Sequence, residues 1–289
     1  MKGILLIDKQ QDWTSSDVVA KLRGILREKR IGHTGTLDPM ATGLLCVFVG
    51  RATRAVEFAE NHSKRYIASI RLGTTTDTED IWGKVLSQKP AEVSESELLS
   101  ALESFKGEIS QIPPMYSAIK IKGQKLYKIA RAGGEVERPA RNITIHSLEL
   151  IGQENGDYVL DISCSKGTYI RSLCRDIGEK LGCGACMSAL RRIEAGNFKI
   201  ENAYTLSQVQ QAADRGEADK LLLPMDSLFE SYPACTVSPA DEKLIRCGNA
   251  PVSKLSGGEY RVYSQSGEFL ALCRQNKGKL ETLKSFFEV

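Results

Sequence analysis

Residues 32–44 read Gly32-His33-Thr34-Gly35-Thr36-Leu37-Asp38-Pro39-Met40-Ala41-Thr42-Gly43-Leu44, and this run constrains the fold more than any other stretch. Three glycines admit tight turns and Pro39 fixes the backbone directly after the only carboxylate, so the run reads as a loop. The apolar residues 44–49 follow at once and read as a buried strand. A rigid turn must therefore sit beside a core strand and present Asp38. Two readings of that acid follow. It is a nucleophile or base held on a rigid support, or it closes an Asx-turn by bonding nearby backbone amides.

With 289 residues the chain can bury a sizeable core, and a large domain plus a small one is expected. Its 42% hydrophobic and 26% charged content is that of an ordinary soluble globular protein. The net charge of +3 excludes a histone-like polycation and leaves room for a localised basic patch. The apolar run near the N-terminus is too short for a signal peptide, and no stretch approaches the roughly 20 apolar residues of a membrane span. A cytoplasmic protein without a membrane segment is expected. Eight dispersed cysteines then read as reduced, buried thiols. Cys183 and Cys186 have zinc-like spacing, but there is no second pair and only three histidines, so no metal site is expected.

Residues 3–7 read as a strand, and Ser15 or Ser16 as the cap of a helix carrying Val18, Val19, Leu22, Ile25 and Leu26. A short helix is expected near residues 52–59. Tyr66, Ala68, Ile70 and Leu72 alternate with polar residues, which marks a half-exposed strand. Ser94 and Glu97 form a capping box ahead of a helix ending near Phe105, and Pro113-Pro114 forces irregular chain. Residues 158–163 read as a strand feeding a helix with Ile170, Leu173, Ile177 and Leu181 on one face, where Arg171 can point away from the core. Residues 189–200 read as paired short strands turning near Gly196, and 205–229 as helical up to about Pro224. Residues 231–289 read as a separate β-rich module.

The run from Gly32 to Pro39, with Ala41-Thr42-Gly43, resembles the signature of the bacterial tRNA pseudouridine-55 synthases, the TruB family. The resemblance spans most of residues 1–200 and implies an α/β (α+β) pseudouridine-synthase fold. That fold is a mixed, largely antiparallel sheet flanked by helices, in a catalytic domain over 1–230. It further implies an RNA-gripping insertion over about 85–141 and a small C-terminal PUA-like β-barrel module over 231–289. In such enzymes the aspartate is essential, which assigns that role to Asp38. Tyr66 resembles the tyrosine that stacks on the target uracil, a task suited to a rigid ring. Gly167-Thr168-Tyr169-Ile170-Arg171 resembles a third motif, in which Arg171 pairs with the aspartate and Tyr169 packs at the substrate. A guanidinium suits that task because it stays charged and grips a carboxylate bidentately. Leu190, in Leu190-Arg191-Arg192, resembles a leucine lining the uracil pocket, and His33 a histidine near the flipped nucleotide. Lys9 resembles a motif lysine. The proline and glycine that usually follow it are replaced by Gln10 and Asp12, so the turn there and the role of Lys9 stay open.

Residues 117–131 hold Lys120, Lys122, Lys125, Lys128 and Arg131 and no acid, and the last four recur every three residues. On a helix they would form a slowly drifting stripe, which reads as a phosphate-binding footprint. The expected partner is the T-arm of tRNA, bound by a monomer without an obligate protein partner or cofactor. The expected reaction converts uridine 55 of the T-loop to pseudouridine on a flipped-out nucleotide. The alternatives are an RNA-guided synthase subunit, a non-catalytic tRNA-binding or folding protein, and a phosphate-binding nucleotide enzyme. The last lacks the lysine of a phosphate cradle, because no Gly-Lys-Ser or Gly-Lys-Thr follows the glycines.

Overall fold

The computed structural model describes residues 1–121 and 123–287. The chain opens with β1 (Gly3–Lys9), α1 (Ser15–Leu26), β2 (Ile31–Thr34) and β3 (Thr42–Val49), then a 3-10 turn and α2 (Val56–Ala59). β4 (Lys64–Leu72) leads to the hairpin β5 (Thr74–Thr76) and β6 (Val85–Gln88), followed by α3 (Glu95–Glu103) and β7 (Gly107–Gln111). A second hairpin, β8 (Lys120–Ile121) and β9 (Gln124–Lys125), precedes α4 (Leu126–Arg131). Then come β10 (Arg141–Glu154), β11 (Asp157–Cys164), α5 (Ile170–Lys180), β12 (Ala185–Ala195), β13 (Phe198–Lys199) and α6 (Leu206–Asp214). β14 (Ala234–Thr236), α7 (Pro239–Arg246), β15 (Gly258–Tyr263), β16 (Phe269–Asn276) and β17 (Lys279–Ser285) end the chain.

The central sheet runs β1-β3-β12-β4-β11-β10-β7, with β2 added to β3 and β13 to β12. β3 and β12 pair in parallel, and the other pairs in this sheet are antiparallel. β3 shows why residues 44–49 are apolar without interruption. Leu44, Cys46 and Phe48 enter one core, while Leu45, Val47 and Val49 enter another against α1. A strand covered on both faces has no polar side to alternate with. A third core joins β4, β11 and β12 to α3 and α5 through Ile70, Ile162, Leu98 and Leu173.

Local expectations meet several corrections. α1 is capped by Thr14, whose capping box with Asp17 leaves Ser15 free for another task. The capping box of Ser94 and Glu97 forms as read. His33 lies in β2, so only residues 35–41 of the glycine-rich run are loop. The helix expected over 205–229 breaks into α6 and two 3-10 turns. The stretch 85–141 is not all insertion. α3 buries Leu98 and Leu102 in the central core and β7 is an edge strand of the main sheet.

The C-terminal module is a four-stranded sheet ordered β14-β15-β16-β17, and it is not a closed barrel. Its two faces are already occupied. Leu272 and Phe286 pack with Met225, Phe229 and Phe48 of the larger part, while Ile245 of α7 covers Tyr260 and Leu270 on another side. The module shares a core with the rest of the chain and is not separate in packing. Among the described residues no helix is long and apolar enough to cross a membrane.

Candidate active site

The loop carrying Asp38 is pinned on both sides of the acid. The Ser15 hydroxyl donates to the Leu37 carbonyl at 3.2 Å and accepts from the Leu37 amide at 2.9 Å. The Asp12 amide donates to the Pro39 carbonyl at 3.0 Å. Leu37, Met40 and Ala41 are buried, so the turn is anchored by apolar contacts as well as by hydrogen bonds. Asp38 stays partly open to solvent between these anchors, its side chain 38% exposed.

Its partner is Arg171, whose Nε lies 2.9 Å from an Asp38 carboxylate oxygen. This side chain is only 5% exposed, and does not point to solvent as its place beside Ile170 allowed. Nη1 donates to the Thr78 carbonyl at 3.0 Å and Nη2 to the Tyr116 carbonyl at 2.9 Å. Each of the three nitrogens of the planar fork therefore has a partner, which fixes its orientation. A second carboxylate, Asp80, lies 3.8 Å from the same Nε. Asp80 accepts from the Thr78 hydroxyl at 2.8 Å and the Trp82 amide at 3.1 Å. Burial pushes its carboxyl above the usual range, with Thr78 and Arg171 opposing. One arginine thus sits between two acids, one partly exposed and one buried.

Tyr66 is buried on β4 opposite Arg192 of β12. Burial pushes its hydroxyl up, against the nearby Arg192 charge, and the Asp38 charge also reaches it. Tyr169 opens α5 without a side-chain cap of its own. Gln111 supplies one, accepting from the Tyr169 amide at 2.8 Å and donating to its carbonyl at 3.1 Å. Burial raises the Tyr169 hydroxyl too, with Ser117 opposing and Asp38 again close enough to act. Leu190 is buried in the same core cluster as Tyr66 and Leu37. The half-buried His33 imidazole is held below its usual range by burial and by the Arg192 charge.

Lys9, whose role the sequence leaves open, lies inside the fold. It is 1% exposed, and its ammonium donates to the carbonyls of Trp13 at 2.7 Å, Gln10 at 3.0 Å and Pro39 at 3.3 Å. It ties the N-terminal turn to the loop residue after Asp38, and its charge still acts on Asp38 from inside the fold. Burial lowers it to about 8. Asp12 adopts φ 68°, the left-handed region that a glycine takes freely and an aspartate tolerates, so the turn survives the substitution.

The basic segment is not one helical stripe. Lys120 and Lys125 face each other across the β8–β9 hairpin, while only Lys128 and Arg131 lie on α4. Lys122 lies outside the described residues. Lys125 and Arg131 each sit 5.6 Å from the centroid of the Tyr127 ring. A cavity of about 600 Å³ opens here, lined by Lys120, Lys125, Lys128 and Ile129 among others. Tyr116, which Arg171 holds, stands four residues before Lys120, so the hairpin springs from the edge of the site. Sequence reasoning missed Ser15, Asp80, Gln111 and Arg192. Glu-Asp before an apolar residue, or a glutamine near a proline pair, carries no signal until the fold closes.

The model of the TruB family pseudouridylate synthase N-terminal domain matches residues 23–170, and that of the tRNA pseudouridylate synthase B C-terminal domain matches 171–230. A tRNA pseudouridine synthase B of Syntrophomonas wolfei is 42% identical over 98% of this chain and 96% of its own length. Its namesake of Salmonella arizonae is 41% identical over 93% and 90% respectively. Among solved structures, a Cbf5-Nop10-Gar1 complex matches with a TM-score of 0.76 at 27% identity, covering 99% of this chain and 85% of that one. The chain belongs to the TruB family of pseudouridylate synthases.

Proposed function

We propose that this protein converts uridine 55 in the T-loop of tRNA to pseudouridine, with Asp38 as the essential carboxylate. The reaction breaks the N1–C1′ glycosidic bond, turns the detached uracil and joins its C5 to C1′. The C5 proton leaves and a proton is taken up at N1, so no external oxidant, reductant or cofactor is needed. The protein must extrude the nucleotide, hold the ring while it turns and keep water from the sugar. The observation that carries the reading is the Asp38–Arg171 pair on a loop pinned from both sides. A pure binding module has no use for a fixed carboxylate facing a polyanion. Tyr66 and Leu190 supply a wall for the uracil, Tyr169 packs beside the sugar, and His33 fills space next to the flipped nucleotide. The relatives named tRNA pseudouridine synthase B support the choice of substrate.

Recognition in this reading combines loop shape with a flipped base, because the deep major groove of RNA is poorly readable. Lys120, Lys122, Lys125, Lys128 and Arg131 clamp the T-arm backbone. The direct opposition of Lys120 and Lys125 is unfavourable in isolation and suits a polyanion. The fold match to Cbf5 keeps an RNA-guided assembly as a second reading. The basic hairpin favours a monomer that grips tRNA itself.

The test is to incubate tRNA with this protein alone and map pseudouridine along the product. Modification confined to position 55 is the expected result, and no modification without a guide RNA would favour the second reading. Asp38→Asn should abolish tritium release from uridine labelled at C5 while leaving the fold and tRNA affinity intact. Near-normal release would sink the assignment of Asp38.

A further inference from the structure

Arg192 is a fully buried cation that the chemistry above leaves unused. It is 1% exposed and stands in β12 opposite Gly43 of β3 on one side and Tyr66 of β4 on the other. Its Nε donates to the Leu44 carbonyl at 2.7 Å. Its Nη1 lies 3.0 Å from the place a Cβ on Gly35 would occupy, so the first turn of the Asp38 loop rests on the guanidinium. Gly35 itself takes φ 64°, a left-handed turn with no side chain to hold the loop away. At the far end, a Cβ on Gly43 would lie 2.3 Å from the Arg192 carbonyl oxygen, so the strand leaving the loop is seated as closely. The same β12 residue therefore meets the entry and the exit of the loop that carries Asp38.

Stability alone does not explain a charge in this place. Nη2 has no hydrogen-bond partner among the described residues, and neither has the Nδ1 of His33, whose imidazole feels the Arg192 charge. A buried guanidinium with an unused donor is a poorer core residue than an apolar side chain of the same volume. Directly after Arg192 the β12–β4 register slips, with Glu194 rather than Ile193 opposite Arg65. Such bulges re-aim a side chain and are common beside active sites.

We propose that Arg192 is a positioning residue that clamps the two ends of the Asp38 loop to β12 and so fixes the carboxylate for the reaction. The proposal rests on the reading of Asp38 given above. It acts through the Leu44 carbonyl and the Gly35 turn, lies against the Tyr66 hydroxyl, and touches no reacting atom.

The test compares the whole protein with Arg192→Met, which keeps most of the volume and removes the charge and donors. Single-turnover tritium release should fall by about tenfold or more, while the Kd for tRNA stays within about twofold. Amide hydrogen exchange should rise in peptides covering residues 35–44 and stay unchanged in β10, β11 and the C-terminal sheet. A rise spread over the whole sheet, an unchanged rate, or a weakened Kd at full rate would each overturn the proposal. If Arg192→Met does not fold, Arg192→Lys carries the same measurements, since one ammonium cannot hold both the Leu44 carbonyl and the Gly35 turn. A wild-type protein that releases no tritium defeats the reading of Asp38 instead, and the exchange measurement still decides whether Arg192 clamps the loop.

Discussion

Replacing Arg171 by lysine keeps the positive charge and removes the fork, which makes it the sharpest probe of the site. The guanidinium spends Nε on Asp38, Nη1 on the Thr78 carbonyl and Nη2 on the Tyr116 carbonyl. A lysine ammonium placed in the same buried channel can satisfy one of these positions fully. Hydrogen bonds to a charged group are worth about 1.5–3 kcal/mol each, so two lost contacts set an upper limit of about 3–6 kcal/mol. Relaxation of the partly exposed Asp38 returns some of this, leaving about 2–4 kcal/mol, or roughly 30- to 1000-fold in rate. The loss should fall on chemistry, because Asp38 loses its orientation while the basic hairpin, proposed above to clamp the RNA backbone, is untouched. Single-turnover tritium release separates the two, with tRNA binding measured on its own. A rate within threefold of wild type combined with weakened binding would refute the reasoning and make Arg171 a phosphate contact.

Tyr66→Phe should change the rate by less than about threefold, whereas Tyr66→Leu should cost roughly 10- to 100-fold, the usual range for a base-stacking ring; equal losses would point to the hydroxyl instead. The Lys9 ammonium, lowered by burial to about 8 from 10.5, sheds its proton earlier in the folded chain than in the unfolded one. The unfolded state then binds more protons between those two values, so wild-type stability should gain on Lys9→Met as pH rises from about 8 to 10.5, by about 2 kcal/mol. Denaturant titrations of both proteins at each end of that window check the sign, and a gap that shrinks with pH contradicts it. Replacing Lys125 and Lys128 by glutamine should weaken binding to all RNAs alike and flatten the salt dependence by about one unit or less per lost contact. The saturated rate should hold, and an unchanged salt slope would return these residues to ordinary solvated surface.

What was legible in the chain was local. The Asp38 loop announces itself because glycine and proline restrict the backbone over a few residues, and the strand behind it because an apolar run of that length leaves few alternatives. The capping box of Ser94 and Glu97 spans only four residues, and it forms as read. The groups that escaped act across long separations. Gln111 caps a helix 58 residues away, Arg171 grips a carbonyl 93 residues away and Arg192 one 148 residues away. No motif marks which backbone group will be the partner, because a backbone carbonyl looks the same at every position. The role of Lys9 stayed open for a related reason. Lysine is almost never fully buried, so its charge reads as a surface contact until three carbonyls are seen to surround it. The open C-terminal sheet was equally out of reach, since closure depends on which face the larger part covers.

Asp12 shows what a sequence pattern constrains and what it leaves free. The motif to which Lys9 belongs usually has glycine where this chain has Asp12, and the replacement looks like the loss of a turn. The backbone at Asp12 nevertheless takes φ 68°. Its amide still reaches the Pro39 carbonyl at 3.0 Å, one residue beyond Asp38. Aspartate is among the few side chains that tolerate the left-handed region, at a cost of about 1–2 kcal/mol or less. A valine here would meet that penalty in full and pull the anchor from the loop, whereas glycine would restore the common form with little change. The requirement at this position is therefore a torsion angle and an N–H aimed at Pro39. Residues that satisfy both are interchangeable in the fold, however different they look in the sequence.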